Sequence, residues 1–351
     1  MATSYRVAVV KWSNADGIAY VIGDELARLG HQPVPFKFDE AVPEGVDVVF
    51  SFAPYGEFLQ IPLQLNRRNQ DRRPVLIHWN TEGIPNPRLP WPLLAGVGLL
   101  RSWFGRLAHS ERGPVRALIN RPPLCYVNRK LHRFRFLGDN IYAYRRGWLH
   151  VLAEYSQVYT NLYRQHGIPA FFVPWGTHPS WYADLQLERD IDVFWMGTWR
   201  TRRRARLLHR VCKELEARGV CTYIADNVEH PFVFGETRTR FLNRAKITLN
   251  LLTTVHDNNF PHRFHMAAGN RSLVVSEPLW PHCPAYRAGQ HYVAAAPEAL
   301  VETIVYYLTH DDERRAIVEN AYQLATQEMT LARSIRSIME EAHARLAEHL
   351  G

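Results

Sequence analysis

The sequence predicts an α/β protein of two doubly wound domains, and three observations carry that prediction. Short apolar runs of strand length alternate with segments of helical spacing, and the alternation restarts near residue 190. With 351 residues at 46% hydrophobic content, the chain can fill two cores of about 150 residues each.

Val7 to Val10 reads as the first strand, Asp16-Gly17 as a turn and Ile18 to Leu29 as a helix stopped by Gly30. Val34 to Phe38, Val46 to Phe52 and Val75 to Trp79 repeat the strand signal around a helix over Phe58 to Arg68. Gln157 to Thr160 and Ala170 to Pro174 are expected to continue the sheet, with a linker near Ser180 to Arg189. Asp192 to Met196 restarts the pattern. Gly197-Thr198-Trp199 and the basic run Arg200, Arg202, Arg203, Arg204 and Arg206 follow, opening a helix. Next come the strand Cys221 to Ala225, a helix over Gly235 to Arg244 and, after the central stretch, helices from Pro297 to Leu350. No motif repeats between the halves, so the repeat is one of architecture.

The central stretch, Phe241 to Pro278, carries the chemistry. Ile247 to Leu252 and Leu273 to Ser276 read as buried parallel strands. Between them lie Asp257, Asn258 and Asn259, then Phe260 and Pro261 at a helix start, with Gly269 and Asn270 closing the helix. A helix that starts just after a strand's carboxyl end presents free backbone N–H groups where open α/β sheets bind ligands, and a diphosphate suits such a place.

These residues resemble the two-domain GT-B glycosyltransferases of the family-one and family-four type. That pattern is two acidic residues separated by seven, a small-residue helix and a Val-Val strand. Here it reads Asp257, seven residues, His265, then Met266, Ala267, Ala268 and Gly269, then Val274, Val275 and Ser276. Arg263, two residues before the second position, makes the chain most similar to the CgeB-like spore-coat branch. The sequence departs from the pattern with Asp in place of Glu at 257 and His in place of an acid at 265. The resemblance implies two Rossmann-like domains facing a cleft. The acceptor side would span 1–180, the nucleotide-sugar side 181–330, and a C-terminal helix over 331–351 would cross back onto the first domain. It also implies that position 257 faces the donor sugar and position 265 the nucleotide ribose.

Around that motif, Gly197, Thr198, Arg200, Arg203, Asn258, Asn259, Phe260, Arg263 and His265 form the expected donor-binding set. Arginine forks match diphosphate oxygens bidentately, although a charge run is by default a solvated helix face, and a packed core histidine is the alternative reading of His265, which its spacing from Asp257 singles out. On the acceptor side the strand ends offer Asn14, Asp16 and Gly17, then Tyr55 and Gly56, then Asn80, Thr81 and Glu82. Glu82 could orient an acceptor hydroxyl or take its proton, and Asp16 could do the same or cap the helix at Ile18. Trp12, Tyr55, Trp79 and Trp175 are candidates for stacking on sugar faces or for the core. Asp190-Ile191-Asp192 has the form of a metal-holding Asp-x-Asp but precedes a strand, so no metal is expected.

Residues 84–146 hold twelve Lys or Arg against Glu111 and Asp139, a balance of +10 in a chain of net charge +8. The basicity is therefore a patch. Within it Leu93 to Leu107 suits a membrane interface or a helix covering the cleft, and no aromatic-basic nucleic-acid motif is recognisable. The cysteines Cys125, Cys212, Cys221 and Cys283 have no metal-ligand spacing and read as buried thiols in a reducing compartment. Met1 to Arg6 lacks an apolar signal core and Leu89 to Leu100 is too short to span a bilayer, so a cytoplasmic chain is expected, peripheral to the inner membrane face.

The sequence thus leads to a hexosyltransferase-type enzyme that moves a sugar from a nucleotide-sugar donor to a glycan, lipid-linked or small-molecule hydroxyl. It would be metal-independent, without cofactor and retaining, with Asp257, Glu82 and Asp16 as catalytic candidates. The alternatives are an inactive scaffold that binds nucleotide or anionic lipid, and a sugar-nucleotide epimerase or hydrolase.

Overall fold

The computed structural model describes residues 4–13, 17–52, 58–67, 73–84, 86–109, 113–199, 201–256 and 260–350, the side chains of 348–350 excepted. The chain divides into two compact units, Met1–Pro174 with Ser334–Gly351, and Trp175–Arg333.

The first unit is built on six strands: β1 (Arg6–Lys11), β2 (Gln32–Lys37), β3 (Val48–Phe52), β4 (Val75–Asn80), β5 (Val151–Glu154) and β6 (Ala170–Phe172). They pair in parallel in the order β2-β1-β3-β4-β5-β6. Every residue of β3 and β4 is buried, the mark of strands covered on both faces. Helices α1 (Gly17–Arg28), α2 (Gln60–Arg67), α3 (Trp91–Ala108), α4 (Gly113–Ile119), α5 (Leu124–Lys130), α6 (Arg135–Arg145) and α7 (Gln157–Gln165) connect them. The core on one face joins Val49 and Leu76 of the sheet to Leu94, Ile141, Tyr159 and Tyr163 of α3, α6 and α7.

One expectation is reversed here. Gln157 to Thr160 opens α7 and is no strand; the strand is β5, just before it. Ser156 decides the matter, because its hydroxyl accepts from the Tyr159 N–H at 3.4 Å and caps the helix. The basic segment 84–146 is helical, α3 to α6, and α3 crosses α6 at Gly98 and Gly138 so closely that a Cβ on Gly138 would lie 2.0 Å from the Gly98 carbonyl oxygen. Among the described residues no helix is long and apolar enough to cross a membrane.

The second unit holds β7 (Ile191–Met196), β8 (Thr222–Ala225), β9 (Ala245–Asn250), β10 (Leu273–Ser276) and β11 (Val293–Ala294), all parallel, in the order β11-β10-β9-β7-β8. Its helices are α8 (Arg202–Glu216), α9 (Gly235–Arg244), α10 (Phe260–Gly269), α11 (Leu300–Thr309) and α12 (Asp311–Gln323), and α13 (Leu331–Leu350) runs from this unit into the first. Val193, Trp195, Leu249 and Val275 of the strands pack on Leu208, Val211 and Leu215 of α8. Asp190 and Asp192 tie strands and helices together: Asp190 takes the Arg244 guanidinium, and Asp192 takes Lys246 Nζ at 2.6 Å and the Cys221 N–H at 2.9 Å. Cys212 and Cys283 are buried, but Cys125 is half-buried and Cys221 exposed, so the thiols do not share one environment.

The chain enters the second unit after Pro174 and leaves it before Ser334. The Ser334 hydroxyl donates to the Pro174 carbonyl at 2.7 Å. Thr177 exchanges backbone hydrogen bonds with Met329 and Leu331 at 2.8 and 2.9 Å.

Candidate functional site

In the second sheet β7 lies between β8 and β9, so successive connections leave to opposite sides of β7 and the switch point falls between β7 and β9. One side chain spans it. Arg263, in the first turn of α10, donates from Nε to the Met196 carbonyl at the end of β7 (3.1 Å) and from Nη1 to Asn250 Oδ1 at the end of β9 (2.8 Å). Asn250 is fully buried and passes its amide N–H to Ser276 Oγ at the end of β10, 2.8 Å away. Three strand ends are thereby laced by one run of hydrogen bonds. Gly197 leaves room for it: its φ is +146°, and a Cβ there would stand 2.7 Å from Arg263 Nη2.

Beside this run lies a residue absent from the expected set. Glu277, 2% exposed, forms a two-pronged ion pair with the Arg203 guanidinium and accepts the Leu252 N–H at 2.7 Å, while Arg203 Nη1 also donates to the Leu252 carbonyl at 3.0 Å. The signal that could have found Glu277 is an acidic residue directly after an apolar strand, hence at its carboxyl end. Arg203 is thus drawn into a protein ion pair. The pair is asymmetric, since the Arg203 side chain is 39% exposed. Arg203→Ala would strand a buried carboxylate and is expected to cost about 2 kcal/mol, whereas Glu277→Gln leaves a cation that water can take over and costs about 1 kcal/mol. Denaturant unfolding of the two variants checks the order, and equal losses would refute it.

Of the basic run, Arg204 is buried and donates to the Leu251 and Thr198 carbonyls at 3.0 and 3.1 Å, and Thr201 caps α8. Thr198 itself is exposed. Phe260, the first residue of α10, is buried with its ring 5.3 Å from Phe264 and 4.9 Å from Tyr292. Helix geometry leaves the N–H groups of that first turn without partners inside the helix. Next to it a cavity of about 220 Å³ is walled by Phe260, Pro261, Trp280, His282, Tyr286 and Tyr292 among others. Asp257, Asn258 and Asn259, with Arg200, Asp16, Asn14, Tyr55 and Gly56, lie outside the described residues.

His265 is fully buried, with Nδ1 2.6 Å from the Thr177 hydroxyl and Nε2 2.8 Å from the Tyr286 hydroxyl. Both of its hydrogen-bonding positions are taken inside the protein, the arrangement of a packed core histidine. Burial holds its pKa down to about 3, and in the first unit burial, aided by Arg135, does the same to His78. An unfolded histidine titrates near 6.5. Between that pH and about 3 the unfolded chain therefore binds more protons, and stability falls as the pH falls, each site approaching about 1.4 kcal/mol per pH unit. Thermal unfolding from pH 7 to pH 5 should show a falling Tm; a flat profile would contradict neutral burial.

In the first unit, Asn80 at the end of β4 donates to the Glu82 carbonyl (3.3 Å) and accepts the Glu82 N–H (3.3 Å), which fixes the turn carrying that half-buried carboxylate. Asn80 also donates to Glu154 Oε2 at 2.7 Å. Glu154 is fully buried at the end of β5, and burial pushes its carboxyl well above the usual carboxylate range against the hydrogen bond from Asn80. Expecting the strand at Gln157 to Thr160 instead of Val151–Glu154 hides it in the sequence. Trp79 and Trp175 are core residues, while Trp12 is 56% exposed and stacks on Phe38.

Residues 200–340 match the model of a family described as glycosyl transferase-like. No curated protein sequence matches the chain significantly. Three solved structures are similar over nearly the whole chain. HepE of Anabaena, in complex with UDP-glucose, is 9% identical, covering 97% of this chain and 100% of that one, with a TM-score of 0.56. Sucrose-phosphate synthase of Thermosynechococcus elongatus is 11% identical over 98% and 99% of the two chains, with a TM-score of 0.57. WaaG, a glycosyltransferase involved in lipopolysaccharide biosynthesis, is 11% identical over 96% and 99%, with a TM-score of 0.53. At these identities the likeness is one of fold, and the fold is GT-B: two parallel-sheet, Rossmann-like α/β domains.

Proposed function

We propose that this GT-B chain is a glycosyltransferase that holds a nucleotide-diphosphate sugar at the carboxyl end of its second sheet and passes the sugar to an acceptor hydroxyl. The observation that carries the reading is Arg263 bridging β7 and β9 at the switch point, from the first turn of α10. In the transfer, the bond from the anomeric carbon to a diphosphate oxygen breaks and one to the acceptor oxygen forms. The acceptor loses its proton, and the leaving diphosphate gains charge. The N–H groups at the start of α10, Arg263 and Arg200 answer that charge, which elsewhere is the task of a divalent cation, and this supports a metal-independent reaction. Asp257 would hold donor-sugar hydroxyls, and the aromatic cavity beside Phe260 offers a wall for the sugar's apolar face. On the first unit Glu82 would receive the acceptor hydroxyl, and Asp16 remains a second candidate.

HepE with UDP-glucose favours a UDP-hexose as donor. Retention of configuration follows from the resemblance, and Arg263 two residues before His265 favours the CgeB-like branch.

The test is thermal unfolding against UDP, GDP, dTDP, ADP and CDP with EDTA present. A nucleotide at a hundredfold excess over its Kd stabilises by about 2.7 kcal/mol. A selective shift supports the donor site and its independence of metal; no shift with any nucleotide sinks the reading. The sealed His265 favours one second reading, a nucleotide-binding scaffold without turnover. A nucleotide shift with neither transfer nor hydrolysis of the matching nucleotide sugars would establish it.

A further inference from the structure

We infer that the helical segment between β4 and β5 docks on an anionic bilayer, with α3 lying in the headgroup layer. This goes beyond the proposed activity and does not rest on it.

One face of α3 is spent inside the protein, where Leu94, Ala95, Gly98 and Ser102 are buried. The other carries Leu93, Gly96, Leu100 and Trp103, all exposed, and the half-buried Leu107. These positions follow i, i+3, i+7, i+10 and i+14, and at 100° per residue they fall within an arc of about 80°. Leu93 is 50% exposed, Leu100 44% and Trp103 47%, so the stripe faces water along the helix. Helices α4 and α5 pack beside α3 and add Leu118 at 60% and Tyr126 at 50% exposure. A continuous apolar stripe of this kind marks an interaction surface.

The charge around it selects the partner. Exposed Arg116, Arg121, Arg129 and Lys130 stand on and between α4 and α5. Among the described residues of 84–146 Asp139 is the only acid; it is buried and bonded to the Ser102 hydroxyl at 2.5 Å. Among the described residues of 84–146 the outward charge is therefore of one sign. A second copy of the chain would bring the same +10 segment against it, whereas an anionic headgroup layer supplies the complement. Trp103 and the leucines suit the boundary between headgroups and acyl chains, and the arginines can reach lipid phosphates from the polar side. Since α3 is not apolar enough to cross a bilayer, it lies on the surface.

The experiment is co-sedimentation of the full chain with vesicles of phosphatidylcholine alone or with a third phosphatidylglycerol, at low and high salt. Binding is expected only to the anionic vesicles, weakening with salt. Leu100→Glu with Trp103→Glu, or Arg129→Glu with Lys130→Glu, should each lower the partition coefficient by about tenfold or more. Both pairs are exposed, so Tm should be unchanged, which separates lost docking from lost folding. Failure to sediment, equal binding to neutral vesicles, or binding indifferent to both double variants would overturn the proposal. So would a lipid-free dimer that light scattering shows to dissociate on Leu100→Glu with Trp103→Glu, since the stripe would then belong to a second copy.

Discussion

Arg263→Ala is expected to lower kcat by about 10²–10³-fold, the usual cost of removing one preorganised donor from a developing oxyanion. Two losses combine in it. A cation disappears from the start of α10, and the Met196 carbonyl and Asn250 Oδ1 lose the donor that joins them. Arg263→Lys restores the charge but not the fork, because an ammonium is a point charge that cannot hold both strand ends in the same geometry. It should recover part of the nucleotide-induced thermal shift and little of kcat. Steady-state kinetics with the nucleotide sugar that the shift selects, read beside Tm, separates the catalytic from the structural loss. Turnover within about threefold of the parent would remove Arg263 from the machinery, since about 0.7 kcal/mol is too little for such a donor.

The largest stability effect is expected at the crossing of α3 and α6. A Cβ on Gly138 would lie 2.0 Å from the Gly98 oxygen and 2.2 Å from its carbonyl carbon. Both obstacles are backbone, so no rotamer change relieves them and the helices must part. Gly138→Ala should cost about 3 kcal/mol or more, a fall in Tm of about 6–12 °C for a unit of this size. Gly96 on the same helix has nothing within 4 Å of its Cβ position, and Gly96→Ala should be neutral or stabilise through helix propensity. A scan in which the two variants melt together would refute the close crossing.

Much of this architecture could be read from the chain before its structure. Leu273 to Ser276 is a strand to the residue, and α10 ends at Gly269 as its capping sequence implies. Such segments declare themselves because burial on both faces leaves an uninterrupted apolar run. The region around β5 misleads for the opposite reason: Val151–Glu154 is four residues long, and Gln157 to Thr160 looks strand-like until the Ser156 cap is seen to turn it into helix. At the site, Arg263 stands out by its spacing from the central motif. Its partners do not, because the Met196 carbonyl and Asn250 are 67 and 13 residues away and only the parallel sheet aligns them. Glu277 and Glu154 hide similarly, each acquiring its meaning from a neighbouring strand end. The Gly98–Gly138 contact has no local signature at all, since two glycines 40 residues apart announce nothing until their helices cross.

The paired passages at Pro174–Ser334 and Thr177–Met329 have a mechanical consequence. Both ends of the chain belong to the first unit, where Tyr5 is hydrogen-bonded to His343 of α13. A pull applied between the two ends would therefore be borne first by α13 against the first unit, and the second unit, a loop pinned at its base, would feel no tension. Only after α13 peels away does the force path run through residues 175–333. In an optical trap the chain should thus yield first at its final helix, with the second unit intact, and a nucleotide bound as proposed should raise only the second rupture.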